Sequence, residues 1–263
     1  MLNLNNVKTI YLFFTKKLFK SKKTKFFILF SFFPLIIFLL VNGIKAVNHS
    51  SPLEGSVFFA RGGMSFFFQL YIQLVSLLFG GSVLGDEIES KTLIYLQASP
   101  ASKLSVLTGK FLSYFTVSFS SFFLGSTSLY VVTNFNNIFD PGSMKTLAQL
   151  EFAGFLSILA YSSFFMMLGA LLKKSTILGV FFIFGWEGLA QILPGAAQKM
   201  TIIYYMTSII PIELPRGRGP FNFWVERLPY FEAVLMLLFI STLFFAATAY
   251  IFYRKEYVLA DHS

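Results

Sequence analysis

The chain is predicted to be an all-α membrane protein with six transmembrane helices, an N-terminal amphipathic interfacial helix, and a charged, helix-capable cytosolic segment between spans 2 and 3. The membrane class rests on composition. Hydrophobic residues make up 56% of the 263 positions and charged residues only 13%, against about 25% charged in a soluble domain. One soluble core cannot bury that much apolar surface, so lipid must accept it. The helical class rests on run length. Six apolar stretches approach the roughly 20 residues that a helix needs to cross the hydrocarbon, and none alternates as a barrel strand would. The 36 phenylalanines suit a lipid-facing surface, and a biased genome composition explains many of them equally well.

The elements follow in chain order. In residues 1–25, Val7, Tyr11, Phe14 and Leu18 fall on one helical stripe, with Lys16 and Lys20 opposite, a pattern that lays a helix in the headgroup layer. The competing reading is a disordered basic tail. The six spans are expected at 26–43, 64–85, 106–132, 147–172, 177–193 and 231–253. No small-x-small cleavage site follows the first, which argues against a cleaved signal peptide. Residues 86–104 form a charged loop between spans 2 and 3. Residues 194–230 form a long loop with Pro211, Pro215, Pro220 and Pro229, within which 196–209 could fold as a short helix dipping back toward the membrane. The chain reads as one transmembrane domain over 1–263.

Charge orients the bundle. With the N-terminus inside, fourteen of the 21 lysines and arginines fall on inner segments and seven on outer loops, so both termini and 86–103 are expected in the cytosol of a multi-pass protein of the inner (plasma) membrane. The net charge of +9 then reflects lysines beside anionic headgroups rather than a nucleic-acid surface. There is no cysteine, hence no disulfide framework or thiolate metal site. The two histidines, His49 and His262, lie outside the apolar runs. Gly109-Lys110 is followed by Phe111 rather than Ser or Thr, so no P-loop is present. Gly80-Gly81-Ser82-Val83-Leu84 departs from the Gly-x-Ser-x-Gly elbow at its last position. A metal site and a cofactor are not expected on this chain.

The charged loop holds the most specific signal. Asp86 can cap a helix beginning near Glu87, Glu87 and Glu89 suit the positive end of its dipole, Glu87 and Lys91 are spaced i,i+4, and Pro100 ends it. These features also suit an ordinary solvated loop. The stretch Asp86-Glu87-Ile88-Glu89-Ser90-Lys91-Thr92-Leu93-Ile94-Tyr95-Leu96, with Ser99-Pro100 and Lys110, resembles the first cytosolic loop of ABC-2 type permeases, the membrane subunits of ATP-binding cassette exporters. Gly185-Trp186-Glu187-Gly188, leading to Leu193-Pro194-Gly195 and Thr201-Ile202, is similar to the end of the fifth span and outer segment of some of them. The resemblance implies that this segment is a cytosolic coupling helix between spans 2 and 3, through which Asp86, Glu87, Glu89, Thr92, Leu93, Leu96 and Pro100 dock on an ATPase partner. ATP and magnesium would sit on that partner, and a second permease chain would complete the pair. The chain departs from the pattern at Lys91, where glycine is usual, and at Lys16-Lys17, where an acidic residue is common.

Within the spans, Gln69, Gln73, Glu187 and Gln191 are the polar residues of interest. Gln69 and Gln73 are expected on one face at i,i+4, as are Glu187 and Gln191. An ionisable group at membrane depth suggests a translocation path, while interhelical hydrogen bonding accounts for the same residues. Gly81 and Gly85 mark a close helix contact. The expected function is a permease subunit that transmits ATP-driven motion. The alternatives are a scaffold or mechanical-transmission subunit that moves no solute, and a lipid-modifying membrane enzyme.

Overall fold

A computed structural model describes residues 3–86, 102–172, 175–190, 196–211 and 227–254. Among these, all regular structure is helical. Helix α1 (Leu4–Lys20) starts where the Asn3 side chain accepts the Asn5 N–H, 3.0 Å away. It ends at Ser21, whose hydroxyl accepts the Thr24 N–H at 3.2 Å and so starts α2 (Lys22–Ser31). The stripe of α1 packs along the later helix α5, with Val7 and Leu18 buried and Lys16 and Lys20 exposed.

The first apolar run is not one straight helix. α2 gives way to α3 (Phe33–Val47) with a 40° bend. Pro34 occupies the first turn of α3. It has no N–H to donate backward, so the ladder of α2 cannot run through it.

The next helix, α4 (Gly55–Ser82), begins nine residues before the expected 64 and contains two π-helical turns, Phe58–Gly63 and Phe67–Tyr71. α5 (Lys103–Thr133) is capped by the Ser102 hydroxyl on the Ser105 N–H at 3.2 Å. α6 (Pro141–Leu171) is capped by Asp140, which accepts the Ser143 N–H at 2.8 Å and its hydroxyl at 3.0 Å. Those two bonds hold the exposed Asp140 carboxyl below the ordinary carboxylate range. α7 (Ser175–Ala190) has a π-helical turn at Phe182–Glu187. Two short helices follow, α8 (Ala196–Lys199) and α9 (Ile202–Ile209), and then α10 (Tyr230–Arg254).

Four helices, α4, α5, α6 and α10, are each long and apolar enough to cross a membrane, and the bent α2–α3 pair makes a fifth. The expected fifth span, 177–193, corresponds to α7, which is shorter than the other four.

α6 is the centre of the bundle. Its most apolar window is 72% buried, against 17% for α10, and it packs against α4, α5, α7, α9 and α10. Rings fill the space around it: Phe67 meets Phe122 edge-on at 5.5 Å, and Tyr161 stacks on Phe165 at 6.1 Å. α4 crosses α6 closely. A Cβ on Gly80 would lie 2.7 Å from the Ser162 carbonyl oxygen, and one on Gly169 would lie 2.6 Å from the Gly81 carbonyl oxygen. Of the expected Gly81–Gly85 pair, Gly81 takes part through its backbone, which Gly169 approaches, while a Cβ on Gly81 or Gly85 would itself meet its nearest atoms at 3.9 and 3.5 Å.

Candidate functional site: a buried carboxylate shared by four elements

Glu187 closes the π-helical turn of α7 and is wholly buried. A carboxyl group out of water needs hydrogen bonds on its oxygens, and three other elements supply them. From α4, the Gln73 amide donates to Oε2 at 3.1 Å. From α6, the Tyr161 hydroxyl donates to the same oxygen. From α9, the Ile202 N–H donates to Oε1 at 3.1 Å. Gln73 also reaches the Tyr161 oxygen at 3.3 Å, so the donors brace one another.

The contact with α9 has a local cause. The first-turn N–H groups of a helix have no partner within it. Thr201 caps one by accepting the Tyr204 N–H at 3.4 Å, and Glu187 fills another at Ile202. A negative group there also meets the positive end of the α9 dipole. Further bonds seat α9: Tyr205 donates to the Lys199 carbonyl at 2.7 Å, and the Leu228 N–H donates to the Ser208 hydroxyl at 3.4 Å. Ile202, Ile203, Tyr204, Tyr205, Met206 and Ile209 are all buried. α9 is therefore packed inside the bundle, against α6 and α10, instead of lying on its surface.

The polar residues singled out by sequence are only partly brought together. Gln73 and Glu187 meet directly. Gln69 is exposed while Gln73 is 3% exposed, so the two do not share a face. Gln69 lies within the π-helical turn Phe67–Tyr71, and Gln73 lies two residues beyond it. Gln191 lies outside the described residues. So do Glu87, Glu89, Thr92, Leu93, Leu96 and Pro100. Asp86 is described, exposed beyond the end of α4, and interacts electrostatically with Lys23 of α2. Lys23 donates to the Leu78 carbonyl at 2.9 Å and the Ser82 hydroxyl at 2.6 Å, holding the end of α4. Lys110 is buried, with Nζ 5.1 Å from the centre of the Phe14 ring of α1.

Two participants escaped the sequence reading. Tyr161 carried no signal that separated it from other aromatic residues. Glu151 did, as a carboxylate inside the 147–172 run. It sits between α5 and α6, 9% exposed. The Ser126 hydroxyl donates to its Oε1 at 2.5 Å and the Thr127 hydroxyl does so at 3.3 Å. Its Oε2 is buried with no hydrogen-bond partner among the described residues. No group of three histidine, cysteine, aspartate or glutamate side chains that could hold a metal ion occurs among the described residues.

No protein-family profile matches the chain, and no curated protein or solved structure shows significant similarity to it.

Proposed function

We propose that this chain is the membrane subunit of an ATP-binding cassette transporter of the ABC-2 permease type. Its role is to turn ATP-driven motion of a separate ATPase into movement of its helices, in export. The observation that carries this reading is the order of parts along the chain. An amphipathic helix comes first. A charged segment with an acidic pair, a Thr-Leu and a Ser-Pro follows α4. A short helix buried in the bundle, α9, precedes the last long helix. Here α2–α3 serves as one bent span and α7 as a short fifth, giving six, with both termini and residues 86–104 in the cytosol of the inner membrane. The partners are the ATPase, a second permease chain and lipid.

The transmission reading, in which no solute moves, is favoured by one specific feature. Glu187, Gln73 and Tyr161 spend their polar groups on one another within a single chain and do not line an open path.

Charge reversal tests the lever. The tagged protein purified from its native membrane should carry ATP hydrolysis with it. The double variant Glu87→Lys, Glu89→Lys should insert normally but lose at least 80% of that activity. Wild-type protein that purifies without ATPase activity, or a double variant that keeps all of it, overturns the assignment.

A further inference from the structure

α4 and α9 are far apart in sequence, yet they bond to the two oxygens of one carboxyl. Gln73 holds Oε2 and the Ile202 N–H holds Oε1, each at 3.1 Å. Glu187 is the last residue of the π-helical turn in α7, and Gln73 stands two residues after the π-helical turn Phe67–Tyr71. π-helical turns are places where a helix changes direction at little expense, and they recur at functional sites. From Ile72 to Ser82, by contrast, α4 is regular α-helix. It is held at its far end by Lys23 and pressed against the α6 backbone at Gly80. A displacement at that end therefore travels as a rigid rod over about 15 Å before reaching the first soft joint, beside Gln73.

We infer that Glu187 is a positioning residue that latches α9 into the bundle, and that α4 sets the latch through Gln73. The two halves of the latch use opposite oxygens of the same group. When α4 moves relative to α7, Glu187 either follows Gln73, drawing Oε1 from Ile202, or stays and loses Gln73. In both cases a buried donor is left unfilled, which makes the seated arrangement one of two discrete states instead of a continuum. The other group facing the carboxyl is Tyr161 of α6. It belongs to the best-buried helix, so it serves as the fixed reference. The latch is independent of any ATPase. Only its operation by a cytosolic loop rests on the function proposed above.

The chain contains no cysteine, so single reporters can be placed cleanly. Ile203→Cys puts a thiol on the buried first turn of α9, and Phe165→Cys puts one in the core of α6. Each is exposed to a small maleimide in proteoliposomes, with labelling rate as the readout. With Glu187 intact, both should label slowly. Adding Glu187→Ala should speed labelling at Ile203→Cys at least tenfold while leaving Phe165→Cys unchanged. Glu187→Gln, which keeps an acceptor for the Ile202 N–H, should restore slow labelling. Gln73→Leu, on a different helix, should speed labelling at Ile203→Cys several-fold. Equal acceleration at both reporters would mean general loosening and overturns the latch. No response to Gln73→Leu overturns the control by α4. Because no ATPase is present, a failure here leaves the transporter assignment standing, and the converse also holds.

Discussion

Glu187 and Glu151 are both carboxyl groups buried in an apolar bundle, and their surroundings differ in kind. Glu187 draws donors from α4, α6 and α9, and both of its oxygens are used. Among the described residues Glu151 is met by Ser126 and Thr127, neighbours on α5, both at Oε1, and its Oε2 has no hydrogen-bond partner there. The first therefore fixes the relative position of four elements, whereas the second fixes at most one helix pair. Burial alone does not tell an organising group from a tolerated one; the number of independent elements that converge on it does.

The largest effect that would test this contrast is Glu187→Leu. It strands the Gln73 amide, the Tyr161 hydroxyl and the Ile202 N–H in a dry interior. It should destabilise the protein by about 3 kcal/mol, measured as resistance to denaturing detergent. Glu187→Gln should lose about 1 kcal/mol. A Leu variant as resistant as the wild type would remove the organising role.

Glu151→Gln comes next. It takes away a buried charge-bearing group with one empty oxygen and keeps an acceptor for Ser126, so the change should stay within about 1 kcal/mol in either direction. A loss equal to that of Glu187→Leu would erase the distinction between the two sites.

The smallest effect belongs to a third carboxyl, Asp140, which is exposed and supported from its own helix. Asp140→Ala should do no more than fray the first turn of α6, seen as faster amide exchange at Ser143. The Ser143 bonds hold the folded carboxyl below its ordinary value. The stabilisation is therefore complete above about pH 4, the unfolded value, and is lost as pH falls through the folded one. The gap between the variant and the wild type should narrow as pH falls through that folded value. A gap independent of pH would show that the cap does not act through its charge.

The long elements were legible because their cause is local. Unbroken apolar runs act within a turn or two of themselves; the caps Asn3, Ser102 and Asp140 and the break at Pro34, which divides the expected 26–43 span, are equally local but formed no part of that expectation. The π-helical turns were not legible. An extra residue in a turn of a helix that is apolar all round leaves the hydrophobic pattern unchanged, so nothing in 58–71 announces it. Glu187 could be flagged as an expensive residue at depth, but its partners could not be named. Gln73 is 114 positions away, and the Ile202 group is a backbone N–H, which every residue except proline possesses. Glu151 shows the opposite failure: its signal was plain, a lone acid between Leu150 and Phe152, and was passed over.

The bare-backbone crossing at Gly80 and Gly169 has a consequence for how the protein is made. α4 and α6 fit each other, but α5 is synthesised between them. When α4 enters the bilayer, its matching groove has not yet been translated, and a strip of glycine faces lipid with no side chain to fill it. Close backbone approach is what lipid-embedded helices gain from small residues, and α4 cannot gain it until α6 arrives some eighty residues later. A nascent chain halted after α5 therefore holds α4 by contacts such as those with α5, without the Gly80 crossing. Release of α6 from the ribosome is the event that sets its final orientation.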